Sequence, residues 1–119
     1  MTENSYKTPC GCIHYFVNII DKQKITLVFL PGLTADHRLF EKQIEYFEKK
    51  QNVFVWDAPS HALSRPFTNN YSLSDMAEWL YEIIAKEEIY NPIIIGQSMG
   101  GYPVSYTHLR AHETEADLV

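Results

Sequence analysis

The stretch NPIIIGQSMGG, residues 91–101, joins a short apolar run to a serine that has glycines on both sides. A continuous apolar run of this length, ended by glycine, is typical of a strand buried on both faces of a parallel sheet. Residues 96–100 fit G-x-S-x-G, in which a sharp turn after a strand holds a serine hydroxyl clear of the sheet. The sequence therefore predicts a nucleophile at Ser98, and the alternative is an ordinary glycine turn that contains a serine.

Three segments upstream have the composition of strands. Residues 11–20 are rich in β-branched and aromatic side chains, and residues 25–30 and 52–56 are short apolar runs. Two helical patterns separate the last three apolar runs of the chain. The order strand, helix, strand, helix, strand predicts a parallel sheet with right-handed crossovers.

Both helical patterns have an apolar face. The first is predicted to turn inward Leu39, Phe40, Ile44 and Phe47, which recur at three- and four-residue steps. The second is predicted to begin after Ser72 as N-cap, with Asp75 completing a capping box, and to run to about residue 88. Its inward face is predicted to carry Met76, Leu80, Ile83 and Ile84.

Three segments together resemble one protein family. Residues 57–66 resemble the D-x-P-G-H-G-x-S segment of the α/β-hydrolase superfamily, in its esterase and lipase-like branch. Residues 96–102 resemble the GxSMGGY elbow of that branch, and residues 30–33 its LHG loop. The resemblance covers residues 11–102 and implies an α/β-hydrolase fold, with a mostly parallel sheet and flanking helices, truncated after the nucleophile elbow.

The chain departs from the family pattern in two of these segments. Pro31 stands where the family usually has a histidine before Gly32, and Ser60 and Ala62 replace two glycines around His61. Serine or alanine fits there only where the backbone avoids the left-handed region that glycine tolerates. The resemblance therefore implies a retained but altered loop.

The resemblance also implies a role for each site residue. Ser98 would be the nucleophile, and the backbone N–H groups of Met99 and Leu33 would form the oxyanion hole. The alternative for the turn at Leu33 is an ordinary end of a strand. In the family the histidine matching His61 is structural, and the acid and base of the triad follow the serine in chain order. A small-molecule ester or related acyl substrate is implied, and no cofactor.

The C-terminal segment has a different origin. Residues 104–113 match, codon by codon, the translation of a transposase sequencing adapter. We therefore expect residues 1–103 to be the N-terminal part of an α/β-hydrolase domain, and residues 104–119 to be a non-native, adapter-derived tail. His108 and His112 have the spacing of zinc ligands on a helix, but they lie in this tail, so no metal site is predicted. We expect the strand at 91–95 to be paired on one side only.

Composition limits the partners. The formal net charge is −5, with both signs interleaved, so the chain has no basic patch for nucleic acid. No apolar run approaches the roughly 18 residues of a membrane span. Cys10 and Cys12 are too close for a disulfide framework, and with the polar N-terminus they favour a cytoplasmic protein. His14 and His37 have no partner at metal spacing and are predicted to be ordinary surface or strand histidines. Nothing in the sequence indicates an oligomeric state.

Two functions are consistent with these residues. The first is a serine hydrolase that cleaves an ester or related acyl bond through Ser98. The second is a protein without activity, either a truncated fragment or a hydrolase-fold binding protein. The fold also carries peroxidase-like, C–C-cleaving and acyl-transfer enzymes, so it does not decide between them. A histidine and an acid downstream of the elbow would discriminate.

Overall fold

The computed structural model describes residues 1–31, 36–59, 62–68, 71–96 and 117–118. Within these ranges the strands are β1 (Thr2–Thr8), β2 (Gly11–Asn18), β3 (Thr26–Leu30), β4 (Asn52–Trp56), β5 (Pro92–Gly96) and β6 (Asp117–Leu118). They form a six-stranded sheet in the order β1-β2-β4-β3-β5-β6. The pairs β3–β4, β3–β5 and β5–β6 are parallel, and β1–β2 and β2–β4 are antiparallel. The predicted fold, a mostly parallel sheet with flanking helices, is confirmed.

The central strands are buried on both faces because a helix packs on each side of the sheet. Helix α2 (Leu73–Lys86) covers one face and contributes Leu80, Ile83 and Ile84 to a core shared with alternate residues of β3, β4 and β5. Helix α1 (Glu41–Phe47) contributes Ile44 to a smaller core on the opposite face. Because neighbouring side chains of a strand point to opposite faces, the apolar runs of β3 and β4 supply both cores.

The capping box predicted for α2 is present, with reciprocal hydrogen bonds between Ser72 and Asp75. The first helical pattern is confirmed at Ile44, which is buried, while Leu39 is 41% exposed and its predicted inward position is wrong. Residues His37–Phe40 form a 3-10 helix ahead of α1. Leu39 lies five positions before Ile44, which is about 140° around an ideal α-helix, and the tighter 3-10 turn increases that angle.

Strand β1 was not predicted from the sequence. Its seven residues are mostly polar and exposed, and it pairs with β2 through a tight hairpin. Gly11 follows the turn at a φ of 154°, where a side chain is strained. A Cβ on Gly11 would lie 2.6 Å from the Phe67 ring and 2.8 Å from the carbonyl oxygen of Pro66. Cys10 and Cys12 flank this glycine and are not joined in a disulfide.

The far edge of β5 differs from the prediction. Ile93 and Ile94 pair with Asp117 and Leu118 of β6, so the expectation that this edge has no partner is wrong for these two residues. A strand with open backbone groups readily accepts an extended segment, whatever its origin. The boundary between residues 103 and 104 stays a prediction, since both residues lie outside the described ranges.

Candidate functional site at the carboxyl edge of the sheet

Three parallel strands end side by side. Leu30, the last residue of β3, is in register with Gly96, the last residue of β5, and β4 ends at Trp56 on the other flank of β3. Open α/β sheets bind ligands at this carboxyl edge, where loops from adjacent strands converge. The edge is therefore the candidate site of the molecule.

The predicted site residues follow these strand ends directly. Ser98 and Met99 come two and three residues after Gly96, and Leu33 comes three residues after Leu30. All three lie outside the described residues, as does His61. The structure thus brings together the strand ends that lead to the predicted nucleophile and oxyanion donors, and leaves the roles of those residues as predictions.

Asp57, the first residue after β4, is the buried charge of this edge, with a relative exposure of 0%. Its carboxylate accepts the backbone N–H of His37 at 2.8 Å and that of Leu63 at 3.3 Å. The Nδ1 atom of His37 lies 2.9 Å from one carboxylate oxygen and 3.1 Å from the other. A carboxylate removed from water needs such donors, since an unpaired buried charge costs several kcal/mol.

Ser64 fixes the backbone next to this carboxylate. Its hydroxyl donates to the carbonyl oxygen of Asp57 at 2.5 Å and accepts the backbone N–H of His14 at 2.8 Å. The backbone N–H of Asp57 donates in turn to the carbonyl of His14 at 2.9 Å. The first and last residues of the D-x-P-G-H-G-x-S segment, Asp57 and Ser64, therefore tie the loop to β4 and β2.

His37 departs from its prediction. His14 lies in β2 and is a strand histidine as expected, whereas His37 is not an ordinary surface histidine, because its ring pairs with the buried Asp57. The His37 ring also lies 4.4 Å from the ring of Phe16, measured between centroids. Nothing in the local spacing signals this pair, since 20 residues separate its members.

The residue before His37 closes the start of the 3-10 helix. Asp36 is its N-cap, and its carboxylate accepts the backbone N–H of Arg38 at 2.9 Å. The Arg38 guanidinium, 2.7 Å away, holds the pKa of Asp36 below its usual value. Because the Arg38 side chain is exposed to solvent, this ion pair contributes little to stability.

Two kinds of site are not found among the described residues. In those ranges no three histidine, cysteine, aspartate or glutamate side chains come together as metal ligands would. No helix there combines the length and the apolar character that crossing a bilayer requires.

The chain is similar to hydrolases in sequence. The model of the alpha/beta hydrolase fold family matches residues 25–115, a range that continues past residue 103. A Mycoplasma genitalium protein named as an esterase/lipase is 28% identical over 82 residues, which cover 67% of this chain and 31% of the relative. The chain thus spans about a third of the length of that curated protein.

Solved structures agree on the fold. Est816, described as an N-acyl homoserine lactone degrading enzyme, has a TM-score of 0.82 at 18% identity over 95% of this chain and 42% of its own. A variant of AqdC, described as cleaving the ring of the Pseudomonas quinolone signal, has a TM-score of 0.84 at 16% identity. The match covers 99% of this chain and 46% of the AqdC variant. A Bacillus subtilis hydrolase has a TM-score of 0.78 at 22% identity, and the match covers 95% of this chain and 40% of that hydrolase. With its strand order, its carboxyl-edge loops and the family match, the chain belongs to the α/β-hydrolase fold family.

Proposed function

We propose that the protein is a serine hydrolase that cleaves an ester or related acyl bond of a small molecule, with Ser98 as nucleophile. The observation that carries the proposal is the register between Leu30 and Gly96. Hydrogen-bonded strands lie about 4.8 Å apart, so the segments that begin after these two residues start as neighbours. One contains G-x-S-x-G and the other the turn proposed to donate to an oxyanion.

The proposed chemistry is acyl transfer to serine. The Ser98 hydroxyl attacks the carbonyl carbon of the substrate, and the carbonyl oxygen takes the negative charge. Backbone N–H groups of Met99 and Leu33 stabilise that charge, and loss of one such donor lowers the rate by about 10²- to 10³-fold. A histidine that follows the elbow in the full-length chain would take the serine proton and give it to the leaving group as the bond to the acyl carbon breaks, and an acid would hold that histidine in place. Water would then release the acyl group from the serine.

Similarity to known proteins supports the hydrolytic part of this proposal. The curated relative is named as an esterase/lipase, and one fold neighbour is described as degrading a lactone, which is a cyclic ester. Another fold neighbour is described as cleaving a ring of a quinolone signal. Since one fold carries several reactions, the serine in a G-x-S-x-G segment is what favours acyl chemistry for this chain.

The second candidate is a protein without activity, either an incomplete fragment or a hydrolase-fold binding protein. The observation that favours it is length, because the chain spans 31% of its curated relative. An enzyme of this type needs a base near the serine, and a serine hydroxyl without one is a weak nucleophile. We also propose that residues 104–119 are a non-native tail, so that the base lies in sequence that replaces them.

The test begins with source DNA, read across the codon for Tyr102 to obtain the full-length chain. Recovery of codons for residues 104–110 in genomic DNA would overturn the proposed tail. In the full-length protein, Ser98→Ala should lower ester turnover by about 10⁴- to 10⁶-fold and abolish labelling by a fluorophosphonate probe. Ser5→Ala is the control, because Ser5 is exposed on β1. If Ser98→Ala keeps most of the turnover, the assignment is wrong; if the wild type has none, the inactive candidate stands.

A further inference from the structure

We propose that His37 is a positioning residue for the turn after β3, the turn that carries Leu33. The proposal rests on the proposed function, in which that turn supplies an oxyanion donor. His37 would act through Asp57, by holding the end of the turn to the end of β4, and would not itself touch the substrate.

His37 makes two hydrogen bonds to the buried carboxylate of Asp57. Asp57 is fully buried, and two of its donors, the backbone N–H and Nδ1, come from His37. Hydrogen bonds to a charged acceptor are roughly twice as strong as neutral ones. The pair therefore fixes the backbone as well as the ring of His37 relative to β4.

The geometry also assigns the ring nitrogens. An ionised carboxylate only accepts hydrogen bonds, so the Nδ1 atom beside Asp57 carries a proton. In a neutral ring, Nε2 is then the unprotonated nitrogen. A histidine with this tautomer, hydrogen-bonded to an aspartate, resembles the base of a catalytic triad. It can act as a base only if its Nε2 atom comes within hydrogen-bond distance of the nucleophile.

The contacts of the ring are with β2 and the end of β4, not with the strand that leads to the predicted nucleophile. His37 packs on Phe16, which belongs to β2, and β4 and β3 lie between β2 and β5 in the sheet. Three strand spacings amount to about 14 Å. Ser98 follows β5, whereas the ring lies between Phe16 of β2 and Asp57 at the end of β4, two to three strands away from β5. This placement favours positioning over base catalysis.

The turn is held at both ends by described contacts. On one side Leu30 is paired with Gly96 of β5, and on the other His37 is bonded to Asp57. Asp36 adds a cap directly before His37. An oxyanion donor works only within about 2.7–3.1 Å of the oxygen it stabilises, so the fixed end at His37 sets whether the turn can reach that distance.

The experiment uses four full-length proteins: wild type, His37→Ala, His37→Asn and His14→Ala. An asparagine amide nitrogen takes the place of Nδ1, so His37→Asn keeps the donor to Asp57 and removes Nε2. His14→Ala is the matched control, because the His14 side chain is similarly exposed, 33% against 27%, but faces the exposed Glu3. Ester kinetics give kcat and KM, and amide hydrogen exchange reports on residues 32–36 whether or not the protein is an enzyme.

We expect His37→Ala to lower kcat by about 10- to 100-fold with little change in KM, since the oxyanion forms only in the transition state. Amide exchange at residues 32–36 should rise by about 10-fold or more, as expected when a buried hydrogen bond to a charge is lost. His37→Asn should stay within about threefold of wild type in both measurements, and His14→Ala should match wild type. The pH profile of kcat/KM should keep its shape in His37→Asn, because no base is removed.

Several results would overturn the proposal. If His37→Asn is as inactive as His37→Ala while exchange at residues 32–36 is unchanged, His37 acts through Nε2 and not by positioning. If neither kcat nor exchange changes in His37→Ala, the contact has no positioning role. If His37→Ala does not fold, His37→Gln takes its place in the experiment. The glutamine amide stands where Nε2 was, so this variant loses the donor to Asp57. His37→Gln should therefore raise amide exchange, whereas His37→Asn should not. If wild type and Ser98→Ala turn over esters alike, the proposed function fails, and amide exchange still decides the role of His37.

Discussion

The central parallel strands and the edge strand β1 of the same sheet are held by different forces. In β3 and β4 all ten residues are buried, and both cores of the molecule draw on them. In β1 only Thr8 is buried, and the strand is joined to the rest by its hydrogen-bond ladder with β2. Burial stabilises the first region, and backbone pairing with a few polar contacts stabilises the second.

Three polar contacts of β1 reach the second half of α2 and the residue after it. Tyr6 donates to Glu82, Asn4 donates to Glu87 at 2.9 Å, and Lys86 donates to the carbonyl of Ser5 at 3.2 Å. Each such contact near the surface contributes about 1 kcal/mol or less. A single change should therefore cost much more in the centre of the sheet than in β1.

The largest expected effect is at Phe54 in β4. Phe54 is fully buried and stacks on Tyr15, with ring centroids 5.3 Å apart. Phe54→Ala should lower the free energy of unfolding by about 3–5 kcal/mol, since it removes apolar contacts and leaves a cavity. Urea unfolding of the full-length protein, followed by circular dichroism, measures the change.

The control for Phe54 lies in β1. Lys7 is exposed there, and Lys7→Ala should change the free energy of unfolding by less than about 0.5 kcal/mol. Equal losses in the two variants would contradict the comparison, because they would mean that burial does not distinguish the two strands.

The difference between the two regions is also the difference between what could and could not be predicted. The apolar side chains of residues 52–56 predict a strand, and β4 has the same bounds in the structure. Strand β1 has no such signal, because a sheet edge held by backbone hydrogen bonds places few demands on its side chains. The predicted inward position of Leu39 is wrong for a related reason, because the spacing of apolar residues does not reveal that residues 37–40 form a 3-10 helix.

The candidate site divides in the same way. The resemblance implies that the turns after residues 30 and 96 serve one site, and the structure places the two strand ends side by side, with Leu30 in register with Gly96. The pairing of His37 with Asp57 could not be predicted, because it joins two loops across the sheet edge and depends on their approach in three dimensions. Ser98, Met99 and Leu33 stay predictions, since they lie outside the described residues.

The hairpin contains one position where a small change should be costly. Gly11 has a φ of 154°, and a Cβ there would meet the backbone oxygen of Pro66 at 2.8 Å. Gly11→Ala should therefore lower the free energy of unfolding by about 1–3 kcal/mol, through backbone strain and the forced shift of the loop. Thermal and urea unfolding measure it, with Cys12→Ala, at an exposed neighbour, as control. A Gly11→Ala variant as stable as wild type would mean that the hairpin adapts freely.

The smallest expected effect is at the contact between Tyr6 and Glu82. The hydrogen bond to Glu82, followed by partial burial and the negative charge of that carboxylate, raises the pKa of Tyr6 to about 12. Below pH 10 the phenol is protonated in both the folded and the unfolded chain, so the hydrogen bond stabilises the fold in full. Between pH 10 and about pH 12 the unfolded chain releases this proton while the folded chain keeps it, and the stabilisation is lost as pH rises.

Tyr6→Phe keeps the ring and removes the hydroxyl, so it should make stability fall less steeply between pH 10 and pH 12. Because the contact is near the surface, the difference at neutral pH should be below about 1 kcal/mol. Part of the alkaline loss should persist in this variant, since burial and Glu87 also raise the pKa of Tyr15. Urea midpoints measured from pH 8 to pH 11.5 test this, with Tyr46→Phe on the exposed side of α1 as the matched control. The same pH dependence in Tyr6→Phe and Tyr46→Phe would contradict the prediction. It would mean that β1 is held by its backbone hydrogen bonds with β2 and by its contacts with Glu87 and Lys86.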